Sequence, residues 1–281
     1  MKKKILFTML ACFFLKTGVS AQGWAFHYDP RRERVIFGGN AYFSYHIGRS
    51  KDESVRRAIY AQKLSTGEQE ILWKGERYLS DISLSPDGQI IAFIEHWWHE
   101  NVPAENANYR DRRYTNAREI VTYYYENQKL TLISAEGRFI RAIDRVRRYV
   151  WSPDGARIAY ITGNYTEDYP GFRTTGTWIM DLTSDTAQKI CETGYEVEWA
   201  RFDGNIYIDT YDDRGVLRYD PRSSKLEPAS YKGIYFSDDG KYYYAPSREG
   251  TDFGLYSTES GENLIEGAAI AEVKKLGGWF P

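Results

Sequence analysis

A five-residue phrase that recurs along this chain constrains its fold more than any other feature. It reads Leu84-Ser85-Pro86-Asp87-Gly88, then Trp151-Ser152-Pro153-Asp154-Gly155, then Phe236-Ser237-Asp238-Asp239-Gly240, with degenerate copies at Tyr28-Asp29-Pro30 and Arg201-Phe202-Asp203-Gly204. Proline presets φ at the second turn position, aspartate bonds neighbouring backbone, and glycine accepts positive φ. A strand-forming stretch follows every copy: Val35 to Phe37, Ile90 to Ile94, Arg157 to Thr162, Ile206 to Thr210 and Tyr242 to Ala245. Each copy therefore predicts a tight reversal between two β-strands, and the series predicts a repeat architecture.

A looser series lies between the copies. Ala58 to Ala61 leads through Ser65-Thr66-Gly67-Glu68 to Glu70-Ile71-Leu72, and Ile120 to Tyr124 leads through Glu126-Asn127-Gln128 to Leu130-Thr131-Leu132. The pattern continues at Trp178 to Leu182, Val216 to Tyr219 and Gly254 to Tyr256. Strand, polar turn and short strand complete a four-stranded antiparallel unit repeated about five times. With 24 Tyr, 13 Phe and 8 Trp, the composition favours strands over helices. A β-sandwich with fortuitous turns is the competing reading, but a sandwich does not require a recurring unit.

The turn, preceded by Trp or another large apolar residue and followed by Ile91-Ala92-Phe93 or Ile158-Ala159-Tyr160, resembles the repeat of TolB-type, WD-like β-propellers. The resemblance spans nearly all of residues 22–281. It implies an all-β β-propeller of four-stranded antiparallel blades, five recognisable and the start of a sixth. The sixth is read from Gly278-Trp279-Phe280-Pro281, which aligns with Val150-Trp151-Ser152-Pro153. Pro281 stands 43 residues beyond Asp238, one blade length, so this strand either opens a blade that the chain does not complete or closes the ring. Such repeats occur in periplasmic scaffold proteins, in the propeller halves of prolyl oligopeptidase-like peptidases and in some carbohydrate-active propellers. They specify architecture and leave activity to be argued from a site.

Residues 1–21 read as a signal peptide: Lys2-Lys3-Lys4, an apolar run from Ile5 to Leu15, and small residues at Val19-Ser20-Ala21, with cleavage expected before Gln22. Lipidation at Cys12 is the alternative, weakened by Phe13-Phe14-Leu15 continuing the apolar run. No later stretch is apolar enough for a transmembrane segment, so the mature chain is expected in the periplasm or outside the cell. Loss of Lys2, Lys3, Lys4 and Lys16 moves the net charge from −2 to −6, which disfavours nucleic-acid binding. Cys191 is the one cysteine of the mature chain, so no intramolecular disulfide is expected.

In an up-and-down blade, the turns joining strands one to two and three to four share one end, and the other connections share the opposite end. The first end is spelled by short turns. Insertions fall on the second, at residues 97–117 and 163–175, read as loops. These carry Trp97, Trp98, Tyr109, Arg112, Tyr114, Tyr169 and Arg173, residue types enriched in binding hot spots. They are the candidate contacts for a protein, peptide or glycan partner of the cell envelope. The plain alternative is that the aromatics pin the loops to the propeller.

Catalytic signatures are sparse. His96 and His99 with Glu95 and Glu100 lack the helical H-E-x-x-H order that sets zinc ligands on one face, and no G-x-S-x-G elbow occurs. Glu167, Asp168, Asp212 and Asp213 would need measured separations to be read as a glycosidase pair. No catalytic residue, metal or cofactor is assigned. The expectation is a non-catalytic binding propeller; the alternative is a propeller enzyme, or the propeller portion of a peptidase-like or carbohydrate-active one.

Overall fold

In the computed structural model, which describes residues 24–39, 57–96, 128–166, 169–210, 212–246 and 253–266, the repeat becomes five four-stranded antiparallel sheets. Blade one holds β1 (Trp24–Asp29), β2 (Arg34–Gly39), β3 (Ala58–Lys63) and β4 (Gln69–Lys74). Blade two holds β5 (Tyr78–Leu84), β6 (Ile90–His96), β7 (Lys129–Ser134) and β8 (Phe139–Asp144). Blade three holds β9 (Val146–Trp151), β10 (Arg157–Thr166), β11 (Tyr169–Asp181) and β12 (Thr186–Cys191). Blade four holds β13 (Glu196–Trp199), β14 (Ile206–Asp209), β15 (Val216–Asp220) and β16 (Lys225–Pro228). Blade five holds β17 (Tyr235–Phe236), β18 (Tyr242–Pro246), β19 (Phe253–Ser257) and β20 (Asn263–Glu266). Within each sheet every strand pairs with its neighbour in sequence, the up-and-down order expected. No α-helix occurs among the described residues.

The core lies between blades rather than inside them. From one strand, β6, Ile91 and Phe93 face Ile36 and Ile59 of blade one, while Ala92 and Ile94 face Val146, Ile158 and Met180 of blade three. Two-sided burial is why Ile90 to Ile94 reads as a continuous apolar run instead of alternating. Ile161 and Ile179 meet Trp199 and Ile208 across the next interface. Each such side chain contributes about 1.5–3 kcal/mol by leaving water. The last interface is aromatic: Tyr207 and Phe236 lie 4.5 Å apart, and Tyr231 sits edge-on to Phe236 at 5.1 Å. Much of the tyrosine content is used there, with Tyr207 donating its hydroxyl hydrogen to Asp203 Oδ2 at 2.8 Å.

The recurring turns are hydrogen-bonded devices in which serine does as much as proline. Ser152 is 1 % exposed; its hydroxyl donates to Asp154 Oδ1 (2.5 Å) and accepts the amide of Arg157 (2.8 Å), while Asp154 Oδ1 also accepts the amide of Ala156 (3.0 Å). Ser85 with Asp87, and Ser237 with Asp239, repeat the arrangement. In blade one Asp29 stands at the serine position, fully buried, and its charge is met by Arg32 and Arg34.

Blade two departs from the expected assignment. Leu130 to Leu132 belong to the third strand, β7, hydrogen-bonded to β6 with Ala92 opposite Leu132, and the fourth strand is β8. The intervening turn is Ala135-Glu136-Gly137, with Gly137 at φ 85°. The run Leu130 to Ile133 is buried throughout, the signature of an interior strand, whereas β8 exposes Phe139 and Ile140 as an outer strand does. The connection from β6 to β7 therefore spans residues 97–128. Ile120 to Tyr124, read as the third strand, lies outside the described residues, as do residues 1–21 and the sixth-blade segment 278–281.

Candidate functional site

Strand direction assigns each connection to an end of the propeller. The serine-containing turns close one end; the β6–β7 connection and the β10–β11 hairpin leave from the other. Residues 163–166 and 169–175, read as loop, instead continue β10 and β11 as a two-stranded ribbon, with Gly163 opposite Thr174, Asn164 opposite Arg173 and Tyr165 opposite Phe172. Neighbouring strands stop short: β9 ends its pairing with β10 at Thr162, and β12 ends its pairing with β11 at Thr177. A register shift between Thr162 and Gly163 marks where ribbon leaves blade, and bulges of this kind bend and re-aim a strand. At its base Thr174 donates its hydroxyl hydrogen to the Gly194 carbonyl (2.5 Å) and Thr177 donates to that of Thr193 (2.6 Å).

Of the residues singled out for binding, Arg173 lies on this ribbon with its side chain exposed, and Tyr169 begins β11. Trp97, Trp98, Tyr109, Arg112 and Tyr114 lie outside the described residues. The chain leaves β6 at His96 toward the same end as the ribbon.

A second constellation was not singled out from the sequence. Counting back four residues from the turn positions Ser85, Ser152 and Ala200 gives Asp81, Arg148 and Glu196. Equal offsets from equivalent turns place side chains at one height on the first strands of successive blades, so they meet at the inner edge. Arg148 reaches Glu196 Oε2 at 3.2 Å on one side and Asp81 Oδ1 at 3.5 Å on the other, and Tyr235 of β17 places its hydroxyl 3.5 Å from Glu196 Oε2. One arginine thus bridges blades two, three and four. Asp81 sits at a register break of β5 with φ 49°, a left-handed conformation costly for a residue with a Cβ. Beside it Tyr149 donates its hydroxyl hydrogen to the Asp81 carbonyl and lies 2.8 Å from Ser83 Oγ, while Trp151 Nε1 donates to Ser83 Oγ at 2.8 Å. The common offset of three charged residues was the available signal.

Two residues further along β13, half-buried Glu198 has its carboxyl pushed up to about 7 by burial and by the nearby Asp238, against the opposing pull of Arg201. A carboxyl whose folded pKa is raised favours folding in its neutral form. Its contribution is complete below the ordinary value near 4 and is lost as pH rises through about 7. Glu198→Gln is expected to remove that slope, so that the variant gains on the parent between pH 5 and 8. Urea midpoints across this range check it, and parallel curves would place the Glu198 carboxyl in water.

Of the other titratable residues raised by the sequence, Glu95 and Asp212 are structural. Glu95, 5 % exposed, accepts the hydroxyl hydrogen of Thr131 at 2.5 Å and lies 3.8 Å from Lys129 Nζ. Asp212 accepts from the side chain and amide of Arg214 and from the Thr210 hydroxyl, which hold its carboxyl far below the usual range. No group of three or more His, Cys, Asp or Glu able to hold a metal ion occurs among the described residues. His99, Glu100, Glu167 and Asp168 lie outside them.

No family model matches the sequence, and no curated protein matches it. Among solved structures the chain is similar to an oligogalacturonate lyase in complex with manganese (TM-score 0.53, 10 % identity, covering 86 % of this chain and 64 % of that one). It is also similar to the oligogalacturonate lyase of Vibrio parahaemolyticus (TM-score 0.52, 11 % identity, covering 88 % and 65 %). A looser likeness is to TolB from Acinetobacter baumannii (TM-score 0.46, 13 % identity, covering 73 % and 47 %). The chain spans less than two thirds of the length of each. Identities this low carry fold and nothing of activity. With five up-and-down sheets packed in succession, they establish that the chain folds as a β-propeller.

Proposed function

We propose that the mature chain is an exported, non-catalytic propeller that holds a protein, peptide or glycan partner at the end bearing the β10–β11 ribbon. The observation that carries this reading is the ribbon itself. An otherwise uniform repeat extends two strands beyond their neighbours at the end where the 32-residue β6–β7 connection departs, and it presents Arg173 to solvent. Export rests on the leader-like residues 1–21; N-terminal sequencing of exported protein should read Gln22-Gly23. No helix among the described residues is long and apolar enough to cross a membrane.

The test compares the mature protein with Arg173→Ala, Tyr169→Ala and Trp98→Ala, each measured for thermal unfolding and for capture of partners from a cell-envelope extract. Loss of a hot-spot side chain should weaken capture by about 2 kcal/mol, some thirtyfold, with stability changed by no more than ~0.5 kcal/mol. Lower stability with unaltered capture would sink the reading and turn attention to the Asp81–Arg148–Glu196 cluster.

A further inference from the structure

The closed end of the propeller departs from the recurring turn at blade one. Turns two and three are in contact: a Cβ on Gly155 would stand 3.2 Å from the Asp87 amide nitrogen and 3.3 Å from its Oδ1. Turns one and two also touch, at Gly88, and a cavity of about 220 Å³ opens beside that contact. The cause is legible in the sequence, since turn one carries Pro30-Arg31-Arg32-Glu33 where the others carry the Asp-Gly reversal.

Hydrogen bonds of Arg32 hold one side of the cavity in place. Arg32 donates to Asp29 Oδ2 at 3.2 Å, to the Gly88 carbonyl at 3.0 Å and to Glu136 Oε1 at 2.5 Å, and so ties the first turn to the second. Its charge and that of Arg34 are neutralised by Asp29, Glu70 and Glu136. Arg31 has no carboxylate partner among the described residues, and its aliphatic stem lies over Gly88, with Cδ 3.6 Å from where a Cβ would be. Asp87, also in the lining, uses Oδ1 for the Ser85 hydroxyl and the Gln89 amide, and Oδ2 accepts no hydrogen bond among the described residues. Behind them His27 Nε2 lies 2.6 Å from the Ile82 carbonyl, which can only accept, so Nε2 carries the proton. Burial keeps the ring neutral, and Nδ1 is left as an acceptor. Tyr28, Pro30 and Pro86 supply flat apolar surface.

The geometry points to this cavity as a binding site for one neutral sugar ring. The Arg31 guanidinium offers donors and Asp87 Oδ2 an acceptor to the same cavity, the pair of roles that ring hydroxyls satisfy, since each hydroxyl both donates and accepts. Tyrosine and proline faces suit the C–H face of a pyranose. A charged ligand of either sign would meet one like charge, Arg31 or Asp87, in a wall of zero net charge. The volume falls below the ~300 Å³ at which pockets begin to enclose drug-sized ligands, so it admits a single ring. The site lies at the end opposite the ribbon and is independent of the function proposed above.

Saturation-transfer NMR on the mature protein, with methyl α-glucoside, methyl β-galactoside and N-acetylglucosamine as probes, tests the assignment. At least one should bind with a dissociation constant in the millimolar range, about −4 kcal/mol. Arg31→Ala and Asp87→Asn should each weaken it about tenfold, and Arg173→Ala should leave it unchanged. Arg31 is solvent-exposed, so its truncation spares the fold; the asparagine keeps an acceptor in the turn. A trisaccharide ending in the bound sugar separates the two sources of such a ring. Equal affinity identifies a free monosaccharide and tighter binding the terminal residue of a glycan, both within the proposal. Absence of transfer to all three sugars, displacement by inorganic phosphate, or binding indifferent to Arg31→Ala would each overturn it.

Discussion

Asp29→Ala is expected to destabilise the propeller by about 3–5 kcal/mol, the usual result of removing one partner from a buried ion pair. The carboxylate is fully buried and shared by Arg32 and Arg34; Arg34, with a 5 % exposed side chain, reaches Asp29 Oδ2 at 3.1 Å and Glu70 Oε1 at 2.8 Å. The same guanidinium donates to the Ala135 carbonyl in blade two, so the loss is felt across the interface and not only in the turn. Glu136, half exposed and on the same arginine network, provides the contrast: its truncation should cost ~1 kcal/mol or less because water replaces it. For a domain of this size the Asp29 variant should melt roughly 10 °C below the parent. Asp29→Leu combined with Arg34→Met should recover most of the loss, because removing both charges also removes their desolvation cost. An Asp29→Ala variant within 1 kcal/mol of the parent would mean that the pair is solvated. A double variant no better than the single would mean that turn geometry, not charge, is at stake.

Asp29 also shows why part of the molecule was legible in the sequence and part was not. The turn chemistry is local, so five copies of it specified five blades, their strand order and the two unequal ends. Pro, Asp and Gly announced themselves through φ and backbone bonding. The serine did not, because Ser152 acts through an amide five residues away. The third strand of blade two was misplaced for a related reason: the turn after it, Ala135-Glu136-Gly137, lacks the recurring spelling, while Glu126-Asn127-Gln128 looked like a turn by composition alone. The ribbon was read as loop because it is an insertion in the repeat and Gly163, Pro170 and Gly171 signal irregular backbone, yet cross-strand pairing of β10 with β11 overrides that preference. Least legible was the Asp81–Arg148–Glu196 cluster, formed by residues 48 to 67 positions apart. Each alone is an ordinary charged residue in a strand, and only the shared offset from the turn reveals that three of them converge.

Gly240→Ala is expected to be markedly more damaging than Gly204→Ala, although the two glycines end equivalent turns with nearly the same φ, 69° and 75°. A left-handed conformation costs a residue with a Cβ about 1–2 kcal/mol, and Gly204→Ala should cost no more, since a Cβ there would meet nothing within 4 Å. At Gly240 the same atom would lie 2.4 Å from Phe202 Cγ of the preceding turn. Phe202 cannot retreat freely, because its ring stands 5.2 Å from Phe236 and 6.4 Å from Tyr207. Overpacking of this kind adds ~1–3 kcal/mol, so the total should reach roughly 3–4 kcal/mol. Gly155→Ala falls between the two: the Asp87 backbone at 3.2 Å must give by a few tenths of an ångström, and valine there should be worse because a β-branched residue resists positive φ further. At Gly155 and Gly240 the motif glycine thus serves two ends at once, a backbone conformation within its own blade and a close approach by the turn before it. The measurement is urea unfolding of the three alanine variants and Gly155→Val. Equal losses across the series would show that the turns are independent reversals. The order Gly204, Gly155, Gly240 would show that turn three interlocks with turn two and turn five with turn four, while turn four stands free of turn three.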